Sequence, residues 1–188
     1  MELYHVSTQN RSLDVLDMSR MPKQDFDSVK KLVDDVRIFP DFYKELNSSK
    51  MQQFSLERGW IKEKIAAEAI FEYVRREEFK EKPSRLYSAY YTASSENAYS
   101  FNRRQRGGRG AIFVFTADES KSFCFNMDIF HKACVCFQEE EIREESVKKV
   151  VMVAREYWKG YENIASSNSE ILYLGNPILE KYKEYENE

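Results

Sequence analysis

The sequence predicts an α+β protein whose sheet is rich in antiparallel pairing. Two observations carry this. A long apolar stripe of helical period lies in the first half of the 188 residues, and short runs of aromatic or alternating bulk gather mostly after Pro83. Neither an internal repeat nor a low-complexity linker separates them.

In chain order, residues 2–6 read as a short strand, and residues 12–18 as a helical turn ending before Pro22. Helical signals over residues 26–46 come in pieces, broken at Pro40. Residues 52–79 form the clearest helix. Ile61, Ile65, Ala69 and Tyr73 recur every four residues, with Ile70 and Val74 beside them and charges between, so the stripe packs a core. Gly59 weakens this helix early and Pro83 stops any continuation past Lys82. Residues 85–92 are strand-like and aromatic, and SSENAYSF is a helix capped by Ser94 or Ser95. A glycine-rich loop, RRQRGGRG, leads into the strand AIFVFTA, with SFCFNM as its hairpin partner. Residues 140–158 look helical and close at Gly160. EILYLG and ILEKYKEY then make two strands around the turn signal Gly175-Asn176-Pro177.

The length suits one domain with room for an insertion, and 42% apolar with 14% aromatic residues argues for a folded core. A net charge of −3 supplies no general attraction to nucleic acid, so such binding must rest on a local patch. No apolar run approaches a membrane span. Glu2 and His5 interrupt any signal-peptide layout, so a cytoplasmic protein without membrane partners is expected. Cys124, Cys134 and Cys136 then read as reduced, buried thiols. His131 with Cys134 and Cys136 lacks the second half of a zinc site, so no metal is expected.

Four features stand in order: His5 with Ser7 on one face of the first strand, Arg85, the run Tyr90-Tyr91-Thr92, and Glu170 opening a late strand. This order resembles the ADP-ribosyltransferase fold in its His–Tyr–Glu branch, which includes poly(ADP-ribose) polymerases, diphtheria-like toxins and, more distantly, RNA 2′-phosphotransferases. KPSRLYSAYYT also looks like a small bacterial family of uncharacterised domains with a proline–serine–arginine segment. The resemblance implies a split sheet in a single domain over residues 1–188, with a helical insertion at about 22–82. It implies NAD as co-substrate, gripped at the adenosine-side ribose by His5 and Ser7. Within Tyr90, Tyr91 and Thr92, it favours Tyr90 as the ring stacked on nicotinamide, which sends Tyr91 into the core. Glu170 completes the set. Two departures stand out. The position of the polymerases' second aromatic falls on Ser100, between Tyr99 and Phe101, and Asn168 stands where the arginine-modifying branch carries its extra Gln or Glu. The second departure argues against arginine as acceptor.

These residue types suit the chemistry. Breaking the nicotinamide–ribose bond develops positive charge on the sugar, as glycoside hydrolysis does, and a carboxylate placed beside it stabilises that charge. Arg85 could bind a pyrophosphate or nucleic-acid phosphate, act in catalysis on a base as in DNA-modifying toxins of this fold, or form a surface salt bridge with Glu77, Glu78 or Glu81. Arg103, Arg104, Arg106 and Arg109, interleaved with Gly107, Gly108 and Gly110, are the one concentrated positive patch in an acidic chain. They fit either a phosphate backbone or a solvated hairpin loop. The expected activity is NAD-dependent ADP-ribosyl transfer, a glycosyltransferase reaction, by a bacterial or phage toxin or effector with a neutralising antitoxin as a further partner. RNA or single-stranded DNA is slightly favoured over protein as acceptor. The alternatives are an RNA 2′-phosphotransferase-like enzyme, disfavoured by a chain with only two histidines, and a non-catalytic NAD-binding module, disfavoured by the presence of Glu170.

Overall fold

The computed structural model describes residues 1–7, 62–86, 88–139, 142–162, 166, 168–175 and 177–183. The helical segments expected at 12–18 and 26–46, and the first part of the one expected at 52–79, lie outside these residues. Among the described residues the chain runs β1 (Glu2–Ser7), α1 (Lys62–Glu78), β2 (Tyr90–Tyr91), α2 (Ser95–Arg106), β3 (Ala111–Thr116), β4 (Ser122–Asn126), α3 (Met127–Glu139), α4 (Glu144–Trp158), β5 (Ser169–Tyr173) and β6 (Ile178–Lys183). The class is mixed α and β as expected, with two small antiparallel sheets ordered β1-β3-β6 and β2-β5-β4. The chain divides into two compact units, one holding the strands and α2, the other α1, α3 and α4.

In the strand unit the two central strands are the most apolar. β3 buries its first five residues between antiparallel β1 and β6, and all five residues of β5 are buried. Leu3 lies opposite Phe115 and His5 opposite Phe113. Leu3, Phe113 and Phe115 from the first sheet and Tyr91, Ile171 and Tyr173 from the second share one core cluster. Fully burying a side chain such as Phe113 contributes about 1.5–3 kcal/mol. The expected hairpin between AIFVFTA and SFCFNM does not form. A 3₁₀ turn at Glu119–Lys121 separates the two strands, and β4 joins β5 in the other sheet. Likewise β5 and β6 flank the Gly175–Pro177 turn yet enter different sheets. Alternation and turn residues mark where strands begin and end. Their partners are chosen by which apolar face finds the other across the core.

The helical unit rests on the predicted stripe. Ile65, Ala69, Ile70 and Val74 are buried, together with Ala66, Ala67 and Phe71, whereas Tyr73 is half-exposed. The Phe71 ring meets Phe130 of α3 edge-on at 5.1 Å and Tyr157 of α4 at the same distance. Trp158 donates its indole N–H to the Phe71 carbonyl at 2.8 Å. Sequence reading places no helix at residues 127–139, but α3 occupies them and buries Ile129, Phe130, Ala133, Cys134 and Phe137. That spacing is helical, and the β-favouring run before it masks the change of period. The helix expected at 140–158 begins at Glu144, where the Ser146 hydroxyl accepts from the Arg143 N–H at 2.9 Å. It closes as expected at Gly160, whose φ of 95° suits glycine.

Candidate functional site

The first sheet meets the second through one backbone bridge. Tyr4 and Thr92 exchange both N–H to carbonyl bonds, at 2.8 and 2.9 Å, and β1 and β2 pair nowhere else among the described residues. One residue past this bridge, His5 Nδ1 lies 2.8 Å from the Tyr90 carbonyl oxygen. A carbonyl only accepts, so Nδ1 carries the proton. Burial holds the ring's pKa below the ordinary histidine value; the Tyr90 carbonyl opposes this and the charge of Arg106 adds to it. The imidazole is therefore neutral, and its Nε2 lone pair has no hydrogen-bond partner among the described residues. The ring sits 5.8 Å from that of Tyr91.

Strand register organises the remaining residues. Tyr90 stands opposite Leu172 and Tyr91 opposite Ile171, and Thr92, just past this pairing, bridges to Tyr4. Successive side chains alternate between faces. Tyr91, Ile171 and Tyr173 point into the core cluster, which leaves Tyr90, Thr92, Glu170 and Leu172 on the other face. Tyr91 thus goes into the core, where burial pushes its phenol far above its ordinary pKa, and Tyr90 keeps a partly exposed position. Glu170 is 5% exposed. The chain just before it is tied to α2. The Ser166 carbonyl accepts from the Asn97 side-chain amide at 3.1 Å, from Ser169 N–H at 3.0 Å and from the Ser169 hydroxyl at 2.8 Å. Of the two caps expected, Ser94 is the one used, accepting from Asn97 N–H at 3.3 Å. The structure therefore gathers Tyr90, Thr92 and Glu170 on one face. Alternation along β1 puts His5 on the face of Leu3, which shares the core cluster with Tyr91, so His5 meets this set through its hydrogen bond to the Tyr90 carbonyl and not across a common face. Ser7 is half-buried at the end of β1, opposite Ala111.

The arginine loop is not a loop. Arg103, Arg104 and Arg106 form the last turn of α2, and only Arg109 follows it. Gly107 and Gly108, at φ 58° and 73°, both donate to the Asn102 carbonyl and end the helix. The glycine run is a helix C-cap, and arginine in a last turn also complements the helix dipole. Asn102 is fully buried and grips Gly110 twice, donating to its carbonyl at 2.7 Å and accepting from its N–H at 2.9 Å. A Cβ on Gly110 would stand 2.7 Å from Asn102 Oδ1 and 2.8 Å from Val6 Cγ1, so a side chain there would have to push them aside.

Arg85 lies in the helical unit, 3% exposed, with its guanidinium forked onto Glu68 at 3.0 and 3.1 Å. It donates to the Tyr157 hydroxyl at 2.7 Å and lies 4.1 Å over the Phe130 ring. The surface salt bridge expected with Glu77, Glu78 or Glu81 is replaced by this buried pair with Glu68. Beside it the Ser84 hydroxyl donates to Glu72 at 2.8 Å, and buried Glu72 also holds Arg75 and Arg76. The proline–serine–arginine segment thus clamps two carboxylates one helical turn apart. The signal was present in the sequence: Glu68 and Glu72 sit four apart inside an apolar stripe, and buried carboxylates require partners.

Burial pushes the Cys124 and Cys134 thiols up to about 11, so neither is a ready nucleophile. Cys136 is half-buried and His131 exposed. Among the described residues no group of three His, Cys, Asp or Glu side chains could hold a metal ion. No helix among them is long and apolar enough to cross a membrane. Comparison with curated proteins finds no match. A family model described as "Protein of unknown function (DUF2441)" matches residues 3–184, a span that takes in every strand of both sheets except Glu2 of β1, and every residue of the site. With nearly its whole length matched, the chain belongs to the DUF2441 family.

Proposed function

We propose that the chain is an NAD-dependent ADP-ribosyltransferase whose site is the junction of the two sheets. One observation carries the reading: His5 of β1 is hydrogen-bonded to the Tyr90 carbonyl, and β2, which carries Tyr90, pairs with β5, which carries Glu170. That supports the resemblance noted from the sequence, in which a divided sheet carries His, Tyr and Glu on three successive parts of one site. The residues fit an NAD ligand chemically. Neutral His5 offers Nε2 as acceptor to a ribose hydroxyl, a positioning role that needs no proton transfer. Tyr90 offers a partly exposed aromatic ring, on the face of β2 opposite to Tyr91. Glu170 offers an acidic group on Tyr90's face. A carboxylate there stabilises positive charge developing on the sugar. In the reaction the nicotinamide–ribose C–N bond breaks, nicotinamide leaves with the bonding pair, and an acceptor nucleophile bonds to the same carbon and gives up its proton. Arg85 takes no part; its guanidinium is engaged with Glu68 and Tyr157.

The test is calorimetric titration of the full chain with NAD, followed by an assay of nicotinamide release with wild type and Glu170→Gln. Wild type binds NAD and releases nicotinamide. The variant keeps binding and loses about 10²–10³-fold in rate. Absence of NAD binding in a folded protein, or near-normal turnover in Glu170→Gln, overturns the proposal.

A further inference from the structure

We infer that the C-terminal half of α2 and the turn after it form a docking surface for a single-stranded polynucleotide; its role as the acceptor rests on the transferase reading above. The first observation is unspent charge. Arg103, Arg104, Arg106 and Arg109 are all exposed, and none pairs with a carboxylate among the described residues. Elsewhere in the same chain Arg75, Arg76, Arg85 and Arg155 each hold a glutamate. Over residues 95–110 these four arginines against the single acid Glu96 leave +3, in a chain whose net charge is −3. Four unpaired guanidinium groups in an acidic protein make a local field that attracts a polyanion.

The second observation is what lies among the charges. Tyr99 is 37% exposed and Phe101 42% exposed, on the same helix, and the Arg106 guanidinium sits 5.8 Å from the centre of the Phe101 ring. Phe101, an exposed flat ring with a guanidinium beside it, matches a chain that carries phosphates and unstacked bases together. A duplex hides its base faces against one another, and an acidic peptide satisfies the arginines but brings no base to stack on Phe101. The surface is also held in place: Asn102 locks the exit of the helix to Gly110, which lies against Val6, the neighbour of His5. The charge of Arg106 also adds to the lowering of the His5 pKa.

The experiment is fluorescence anisotropy of the full chain with a labelled oligouridylate, the matching oligothymidylate and a duplex of equal length, over a salt series. Single strands bind more tightly than the duplex, with log K falling against log salt at a slope of about −3, from about −0.7 for each of four phosphate contacts. Changing all four arginines to Gln weakens binding about tenfold or more and flattens the slope. Phe101→Ala weakens single-strand binding about fivefold or more at unchanged slope. Equal affinity for duplex and single strand, or wild-type binding by either variant, overturns the inference. NAD titration of the same wild-type sample separates the two readings. NAD binding without oligonucleotide binding removes this inference alone. Oligonucleotide binding without NAD binding keeps the surface and removes the transferase.

Discussion

Arg85→Met is the most informative single change in the helical unit. The substitution deletes the forked pair to Glu68 and the 2.7 Å bond to Tyr157, leaving a carboxylate that is 3% exposed with no cation. Removing one member of a buried ion pair costs about 3–5 kcal/mol, most of it the penalty of stranding the other charge. For a chain of 188 residues each kcal/mol is worth about 2–4 °C, so the melting temperature should fall by about 6–20 °C. The double change Arg85→Met with Glu68→Leu removes both charges and fills the space with apolar atoms. It should recover at least half of that loss, the remainder reflecting a Tyr157 hydroxyl deprived of its donor. Thermal melting followed by far-UV ellipticity measures all three proteins. If Arg85→Met melts like wild type, or the double variant melts as low as the single, the reasoning fails. An unchanged melt with lost transferase activity would instead return Arg85 to catalysis.

Three further outcomes are expected. His5 has its pKa lowered by burial, so the unfolded chain binds the extra proton first. Stability is therefore full above the unfolded value near 6.5 and is lost as pH falls toward the folded value, with a slope of at most about 1.4 kcal/mol per pH unit. Melting curves between pH 7.5 and 5 should fall more steeply for wild type than for His5→Asn, and parallel curves would refute this. Gly110→Ala forces a methyl to within 2.7 Å of Asn102 and 2.8 Å of Val6; it should cost about 1–3 kcal/mol, read as a lowered melting temperature in differential scanning calorimetry. Tyr90→Ala should raise KM for NAD more than it lowers kcat, while Tyr91→Ala, cut from the core cluster, should first lower the melting temperature. The reverse pattern would exchange the roles of the two tyrosines.

Local periodicity and local chemistry settled much of this protein from the sequence alone. The apolar stripe around Ile65 and Ile70, a cap at Ser94 or Ser95, the closure at Gly160 and the alternation of Tyr90 with Tyr91 all depend on neighbours within a few residues, and all are legible there. The candidate residues His5, Tyr90 and Glu170 were picked out by their order along the chain, as the resemblance to the His–Tyr–Glu branch implies. What the sequence could not decide was partnership. Alternation does not tell β4 to leave β3 for β5, because either pairing buries the same face; the shared core of Leu3, Phe115, Tyr91 and Ile171 makes that choice. Nor does an arginine announce its carboxylate. Arg85 finds Glu68 seventeen positions back rather than the nearer acids, because a buried charge must be matched where the fold leaves it dry. Likewise the glycines at 107, 108 and 110 look alike in sequence. Local left-handed geometry makes two of them a helix end, and tertiary structure makes the third a contact that a side chain would have to push aside.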